Sequence, residues 1–196
     1  RLTAATDPTG VRTDFSLDAN GRVQSWSTGG YTWHVERNHS GHPLALQTPL
    51  GIRTGFGRDA LHRVTRITNG IGETTAIDYD SRGRVTALTD PAGRTTRTTY
   101  DPRGLPAAIE LPDSNAVAYA WNAIGKLERL TDCNGAEWSF SYSPMGRLEA
   151  ATDPLGRVTH YTYDADGRLA AVAWPGGGSV TNNRDANGRV VRRLHS

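Results

Sequence analysis

The chain has 196 residues, with 22 basic side chains against 20 acidic ones and a formal net charge of +2. This balance gives no overall electrostatic footprint for nucleic acid, and a single cysteine excludes an internal disulfide framework. No apolar run reaches the roughly 18 residues that a membrane-spanning helix needs. Abundant glycine and β-branched residues favour short strands separated by tight turns.

A repeat of about 21 residues runs along the whole chain. One glycine column closes each copy: Gly21, Gly41, Gly83, Gly104, Gly125, Gly146, Gly167 and Gly188, with His62 in the remaining place. A second column lies halfway: Gly10, Gly30, Gly51, Gly72, Gly93, Gly135, Gly156 and Gly177, with Ser114 in its gap. The units start near residues 1, 22, 42, 63, 84, 105, 126, 147, 168 and 189. We therefore expect a single array of about nine repeats over residues 1–196, truncated at both ends.

Each unit predicts two strands and two turns, as residues 84–104 show most clearly. Threonine-rich segments of six or seven residues alternate there with Asp-Pro-x-Gly turns. Aspartate at the first turn position bonds the backbone ahead of it, proline presets φ, and glycine supplies a positive φ. The structural turn residues that we assign are Asp90, Pro91, Gly93, Gly104, Asp132, Gly135, Gly146, Asp153, Pro154, Gly156 and Gly167. A turn every 10 or 11 residues predicts an all-β chain, a long antiparallel β-meander of about 19 strands.

The second strand of each unit alternates between an apolar face and a polar face. Alternate positions of this strand hold Phe15, Val35, Phe56, Ile77, Tyr119, Phe140 and Tyr161. In the first strand the apolar residues stand at unit positions 2 and 5, as in Val85 and Leu88. These positions are an odd number of residues apart, so they fall on opposite faces unless a β-bulge intervenes, and the sequence leaves both arrangements open.

The best-formed units are TDPAGRTTRTTYDPRG (89–104) and TDPLGRVTHYTYDADGRL (152–169). Their Tyr-Asp pair, x-x-Gly-Arg-Leu and Thr-Asp-Pro-x-Gly resemble the RHS repeat, or YD repeat, of bacterial polymorphic toxins, insecticidal toxin complexes and teneurins. The resemblance covers essentially the whole chain. The tyrosine position is Arg37, Arg58 and Arg184 in three units and Leu17 in another.

The resemblance implies a β-sheet that curls as part of a spiral hollow shell around a C-terminal toxin polypeptide. The implied partners are the remainder of the shell and the enclosed toxin domain, with secretion-machinery or carrier proteins as further candidates. It also implies a bacterial protein that is secreted or exported, by type VI secretion, by toxin complexes or by another route. Enzyme activity and cofactors are not implied.

Two other functions stay open at this point. The sheet surface could bind a carbohydrate or a receptor through its aromatic and arginine side chains: Tyr79, Tyr100, Trp121, Tyr142, Tyr163, Arg84, Arg147 and Arg168. These residues are spread along columns, and arginine could stack on tyrosine across the strands, so a role in building the wall is favoured.

A metal-dependent hydrolase at His34, His39 and His42 is the other alternative. Their spacings of five and three residues on a strand and a turn do not enforce the convergence that zinc requires. Cys133 occupies a turn and has no neighbouring base. We therefore predict no catalytic residue and no metal site.

Overall fold

The computed structural model of this chain describes residues 3–185 and 187–195, and within them it contains nineteen β-strands and no helix. The described residues therefore contain no helix that could span a membrane. The ends of the predicted array, residues 1 and 196, lie outside the described residues. In chain order the strands are β1 (Ala4–Thr6), β2 (Arg12–Leu17), β3 (Val23–Thr28), β4 (Tyr31–Arg37), β5 (Pro43–Gln47), β6 (Arg53–Arg58), β7 (Val64–Thr68), β8 (Thr74–Tyr79), β9 (Val85–Thr89), β10 (Thr95–Tyr100), β11 (Pro106–Glu110), β12 (Ala116–Trp121), β13 (Leu127–Thr131), β14 (Glu137–Tyr142), β15 (Leu148–Thr152), β16 (Val158–Tyr163), β17 (Leu169–Ala173), β18 (Ser179–Arg184) and β19 (Val190–His195).

The contacts divide the chain into two compact units, Arg1–Arg97 and Thr98–Ser196. In the first unit, each strand from β1 onwards pairs antiparallel with the strand that follows it, up to residues Thr95–Arg97 of β10. In the second unit, β11 to β19 pair antiparallel in the same sequential way. Tight turns join the strands, and such turns permit only antiparallel neighbours. The predicted all-β antiparallel meander is confirmed.

The turns explain both glycine columns. Every member of the two columns has a positive φ, and the two exceptions to glycine, His62 (φ 63°) and Ser114 (φ 65°), adopt it as well. In the turn Asp90–Gly93 the Gly93 N–H donates to the Asp90 carbonyl at 2.9 Å, and the Asp90 N–H donates to the Arg94 carbonyl at 2.9 Å. The residue with the left-handed backbone conformation thus closes the hairpin loop. Glycine adopts this conformation with less strain than other residues do.

The second repeat is one residue shorter because it uses a different turn. Thr28 pairs directly with Tyr31, and the loop between them is Gly29–Gly30, with φ of 57° and 82°. A two-residue loop with positive φ at both positions is the type I′ hairpin, whose twist matches that of the flanking strands. The deletion therefore shortens the loop and leaves the strand register intact.

A β-bulge recurs where one repeat passes into the next. Asp78 pairs with Ala87 and Tyr79 with Val85, so one extra residue lies on β9. Equivalent shifts occur between β2 and β3, β4 and β5, β6 and β7, β12 and β13, β14 and β15, β16 and β17, and β18 and β19. Val85 lies opposite Tyr79, and Leu88 lies opposite Ile77. Unit positions 2 and 5 are therefore on the same face, which decides between the two arrangements that the sequence left open.

The sheet has almost no fully buried core. Among the described residues, only Ala45 and Ala87 are buried apolar side chains. Apolar residues instead pack side by side on a half-buried face, as in the stacked rings of Trp26 and Trp33, whose centroids are 5.7 Å apart. Turn and ladder hydrogen bonds, with cross-strand packing, therefore carry the structure.

We expect Gly93→Ala to lower the free energy of unfolding by about 1 kcal/mol, because alanine is strained at a positive φ. No heavy atom lies within 4 Å of an alanine Cβ built at Gly93, so packing would not contribute. The reverse change, Ser114→Gly, should raise the free energy by about 0.5 kcal/mol. Urea unfolding followed by circular dichroism measures both, and an unchanged midpoint for Gly93→Ala would contradict the strain.

Candidate functional site

The polar and aromatic side chains that the sequence singles out gather at the turns between successive repeats. We call these the inter-unit turns: residues 18–22, 38–42, 59–63, 80–84, 101–105, 122–126, 143–147, 164–168 and 185–189, of which residue 186 is not described. The residue directly before each inter-unit turn belongs to what we call the donor column: Leu17, Arg37, Arg58, Tyr79, Tyr100, Trp121, Tyr142, Tyr163 and Arg184.

An aspartate opens most turns and binds the backbone that follows it. Asp80 Oδ1 accepts the N–H groups of Arg82 and Arg84 at 2.9 and 3.0 Å, and Oδ2 accepts Arg84 Nε at 2.7 Å. The Arg84 N–H, which is the largest influence, lowers the pKa of Asp80. Asp90 makes the same contacts with Ala92 and Arg94, and its pKa is lowered by the same backbone hydrogen bond. Other turn aspartates, including Asp132 and Asp153, accept the same pair of N–H groups.

The arginine that closes an inter-unit turn is held between an acid and an aromatic ring. Arg63 Nε lies 2.7 Å from Asp59 Oδ2, and its guanidinium carbon lies 4.7 Å from the centroid of the Tyr79 ring. Arg147 stacks in the same way on Tyr163, at 5.8 Å. These are the ion-pair and cation–π contacts of a repeating arginine column. Of the other arginines singled out by the sequence, Arg84 pairs with Asp80 at 2.6 Å and Arg168 with Asp166 at 2.7 Å.

Tyrosines of the donor column are hydrogen-bonded to the sheet's own backbone. Tyr79, Tyr142 and Tyr163 each donate the hydroxyl to the carbonyl of the residue 15 positions earlier, the second residue of the same repeat. Burial raises the pKa of Tyr142, which favours the protonated, donating form. The pairs are Tyr79 with Val64 at 2.8 Å, Tyr142 with Leu127 at 2.8 Å and Tyr163 with Leu148 at 2.9 Å.

Trp121 and the three arginines that replace tyrosine in this column make the same bond. The sequence shows them only as departures from the repeat, whereas the structure shows that each supplies an N–H donor of suitable length. Arginine adds a second bond, since Arg58 Nη1 donates to the His62 carbonyl at 2.8 Å. The pairs are Trp121 with Pro106 at 2.6 Å, Arg37 with Val23 at 3.1 Å, Arg58 with Pro43 at 3.0 Å and Arg184 with Leu169 at 3.1 Å.

The accepting carbonyl needs this donor because the ladder within a repeat stops short of it. Strands β7 and β8 pair only from Arg66 with Ala76 to Thr68 with Thr74. Val64 lies beyond the last of these pairs, and the Tyr79 hydroxyl reaches it from the end of β8. An unpaired backbone carbonyl in a half-buried position is unfavourable, so the side chain replaces the missing strand contact.

Most of the proposed surface-binding aromatic residues are engaged within the sheet. The polar atoms of Tyr79, Trp121, Tyr142 and Tyr163 are hydrogen-bonded to the backbone, and Tyr100 is half-buried. Surface binding through these residues stays a prediction.

The histidines of the second and third repeats do not converge. His34 and His39 line an open groove of about 800 Å³ beside strands β3 to β5, whereas the ring of His42 stacks on His62. In the part of the chain that the structure describes, no group of three or more His, Cys, Asp or Glu residues could hold a metal ion. Cys133 is exposed in its turn.

Comparison with known proteins identifies the repeat. A family model described as Teneurin YD-shell matches residues 32–196. The chain belongs to the Teneurin YD-shell family. The resemblance to YD repeats is thereby confirmed, and the donor column corresponds to the tyrosine of this YD-shell repeat. A search of curated proteins found no match.

Solved structures share the YD-shell fold at low sequence identity. The Photorhabdus luminescens Tc holotoxin pore with TccC3 superposes with a TM-score of 0.72 at 15% identity, over 95% of this chain and 12% of that chain. A TcdB2–TccC3 structure gives a TM-score of 0.72 at 15% identity over 94% of this chain and 13% of its own, and TcdB2–TccC3–Cdc42 gives 0.71 at 14% over 95% and 12%. The chain thus spans about an eighth of the length of these proteins.

Removing one donor hydroxyl should weaken the sheet measurably. We expect Tyr163→Phe to lower the free energy of unfolding by about 1 kcal/mol, since it leaves the Leu148 carbonyl without its donor. Tyr161→Phe, which removes a hydroxyl two residues earlier in the same strand and outside the donor column, should change it by less than about 0.5 kcal/mol. Urea titrations of both variants make the comparison, and equal effects would show that the carbonyl bond is not what stabilises the strand end.

Acid should destabilise the turns within a defined pH range. The folded-state pKa values of Asp80 and Asp90 lie below the ordinary 3.8, so their stabilising effect is complete above that value. As the pH falls, the unfolded chain takes up protons first, and the stabilisation is lost on passing through the lowered folded-state pKa values. Unfolding midpoints between pH 6 and pH 2 measure this loss. Asp80→Ser, which copies the uncharged turn opened by Ser143, should show a shallower dependence, and an identical profile would contradict this assignment.

Proposed function

We propose that this chain is a structural segment of a YD-shell wall that encloses a C-terminal toxin polypeptide of the same protein for delivery. The observation that carries the proposal is the internal use of the donor column: its tyrosine, tryptophan and arginine side chains bind backbone carbonyls of the sheet. Side chains that are hydrogen-bonded within the sheet in repeat after repeat are more consistent with a structural wall than with a ligand site.

The small amount of buried apolar core in the sheet supports the same role. Only Ala45 and Ala87 are buried apolar residues in the described part of the chain, so one half-buried apolar face is left for whatever lies against it. A sheet of this kind gains burial from the material that it surrounds and needs no deep core of its own. We propose no catalytic residue, cofactor or metal for it.

The enclosed partner is inferred from the structural relatives. Their descriptions include a TccC3 component, and one TcdB2–TccC3 structure is described as lacking a hypervariable C-terminal region. By analogy, we propose that the partners of this chain are the rest of its shell and a C-terminal polypeptide inside it, with a carrier or secretion component at delivery. Export from a bacterium, by type VI secretion or as part of a toxin complex, belongs to the same proposal.

The alternative is carbohydrate or receptor binding through the polar groups of the aromatic side chains. The hydroxyls of Tyr79, Tyr142 and Tyr163 and the indole N–H of Trp121 already have backbone partners. Binding through these groups would have to break a bond within the sheet, which weighs against this alternative.

Protease protection in the full-length parent protein tests the enclosure. The C-terminal polypeptide, followed with a terminal epitope, should resist trypsin while the shell is intact and become sensitive in urea. Tyr142→Phe/Tyr163→Phe should lower the urea concentration at which it becomes sensitive, whereas Tyr161→Phe should leave it unchanged. Digestion of the C-terminal polypeptide in the native parent, at the rate seen in urea, would contradict the proposal.

A further inference from the structure

One pair of inter-unit turns differs in chemistry from the others. His42 stands where other repeats place an arginine, and His62 stands where they place the left-handed glycine. Their imidazole rings are stacked, with centroids 4.2 Å apart and an interplanar angle of 19°. The arginine-over-glycine contact seen elsewhere, as in Arg63 beside Gly83, is thus replaced here by two titratable rings in contact.

The surroundings of this pair are cationic. Arg22 from the turn after β2 and Arg58 from β6 both disfavour a positive charge on His42. Arg37 Nη1 at the end of β4 binds the Gly41 carbonyl at 3.1 Å, next to the histidine in sequence. Arg58 binds the carbonyl of His62 itself, at 2.8 Å. Three arginines from three elements therefore lie around the stacked rings.

Carboxylates that could offset a new positive charge are already engaged. The turn of His42 opens with Asn38 in place of aspartate, and its Oδ1 accepts the His42 N–H at 2.9 Å. Asp59, which opens the turn of His62, pairs with Arg63 at 2.7 Å. The Asp18 carboxylate of the preceding inter-unit turn lies 3.6 Å from Arg22.

The ring of His42 is also poorly placed to carry a proton on both nitrogens. Its Nδ1 is buried and has no hydrogen-bond partner among the described residues. Burial first, and then His62, Arg58 and Arg22, lower the pKa of His42. Two positive charges on the stacked rings would lie about 4.2 Å apart and repel each other.

We propose that the His42–His62 stack is an acid-sensitive contact: neutral and closed near pH 7.5, and opened by protonation as the pH falls towards 5.5. Opening would free the turns that flank β5 and β6 and loosen these strands locally. The proposal concerns the sheet itself and does not depend on what the shell encloses.

The direction of the effect follows from linkage. In the opened state the pKa of His42 is near the ordinary value of 6.5, whereas in the stacked state it is lower. The stack therefore has its full stability above about pH 7.5, begins to lose it near pH 6.5, and goes on losing it until the pH reaches the lowered pKa of the stacked His42. Asp18 and Asp59, the aspartates of the neighbouring inter-unit turns, titrate below this range, because their pKa values lie under 3.8.

Hydrogen exchange with mass spectrometry on this chain, at pH 7.5 and 5.5 and corrected for intrinsic exchange, tests the proposal. Protection in Pro43–Gln47 and Arg53–Arg58 should fall roughly threefold or more at pH 5.5, while β13 to β16 keep theirs. The variant Asn38→Asp/His42→Arg/His62→Gly restores the residues of other repeats and should abolish the local loss. His62→Gly alone, which relieves a positive φ, should reduce the loss if the triple variant fails to fold.

His34→Gln is the matched control, because His34 lies on β4, where it pairs with Gln47 of β5, but outside the stack. It should show the same local loss as the parent chain. Equal protection at both pH values in the parent chain, or an undiminished loss in both stack variants, would overturn the proposal. A loss that disappears in His34→Gln would also overturn it, since it would place the titrating group elsewhere.

Discussion

One backbone carbonyl in each repeat decides how the strands of this sheet are held at their ends. The ladder within a repeat stops before it reaches the second residue, as it does between Arg66 and Val64. A long side chain from the end of the next strand then donates to that carbonyl, and Tyr79 does so to Val64. Backbone groups in a half-buried sheet need partners, which favours a donor that can cross the gap at this position.

The bulge at the same place has a second consequence. It inserts one residue opposite the start of each repeat, which brings Val85 and Leu88 to the face that already carries Tyr79 and Ile77. Without it, half of the apolar residues of each first strand would lie on the polar face. The donor bond satisfies the carbonyl at the strand end, and the bulge keeps the apolar residues on one side of the sheet.

Charge is balanced within many of the turns, so the near-zero net charge is largely a local property. Arg63 with Asp59 and Arg84 with Asp80 are pairs within one turn, at 2.7 and 2.6 Å. Such partly exposed pairs contribute little energy singly, but they leave no continuous basic stripe along the sheet edge. Where the pattern changes to Asn38 and His42, the acid is missing and neighbouring arginines remain, so the local charge then depends on pH.

The sequence by itself determined the repeat length, the two turns of each repeat, the antiparallel order of the strands and the family. These follow from local chemistry, since Asp, Pro and Gly act on the backbone within four or five residues. Tertiary structure alone decided the faces of Val85 and Leu88, because a bulge is a relation between two strands. It also showed that Trp121, Arg58 and Tyr79 each donate a hydrogen bond to the equivalent backbone carbonyl of their repeats. The sequence could have suggested this, as nearly all residues in the column carry a donor, but the acceptor is a backbone carbonyl, and only the arrangement of strands in space reveals which one.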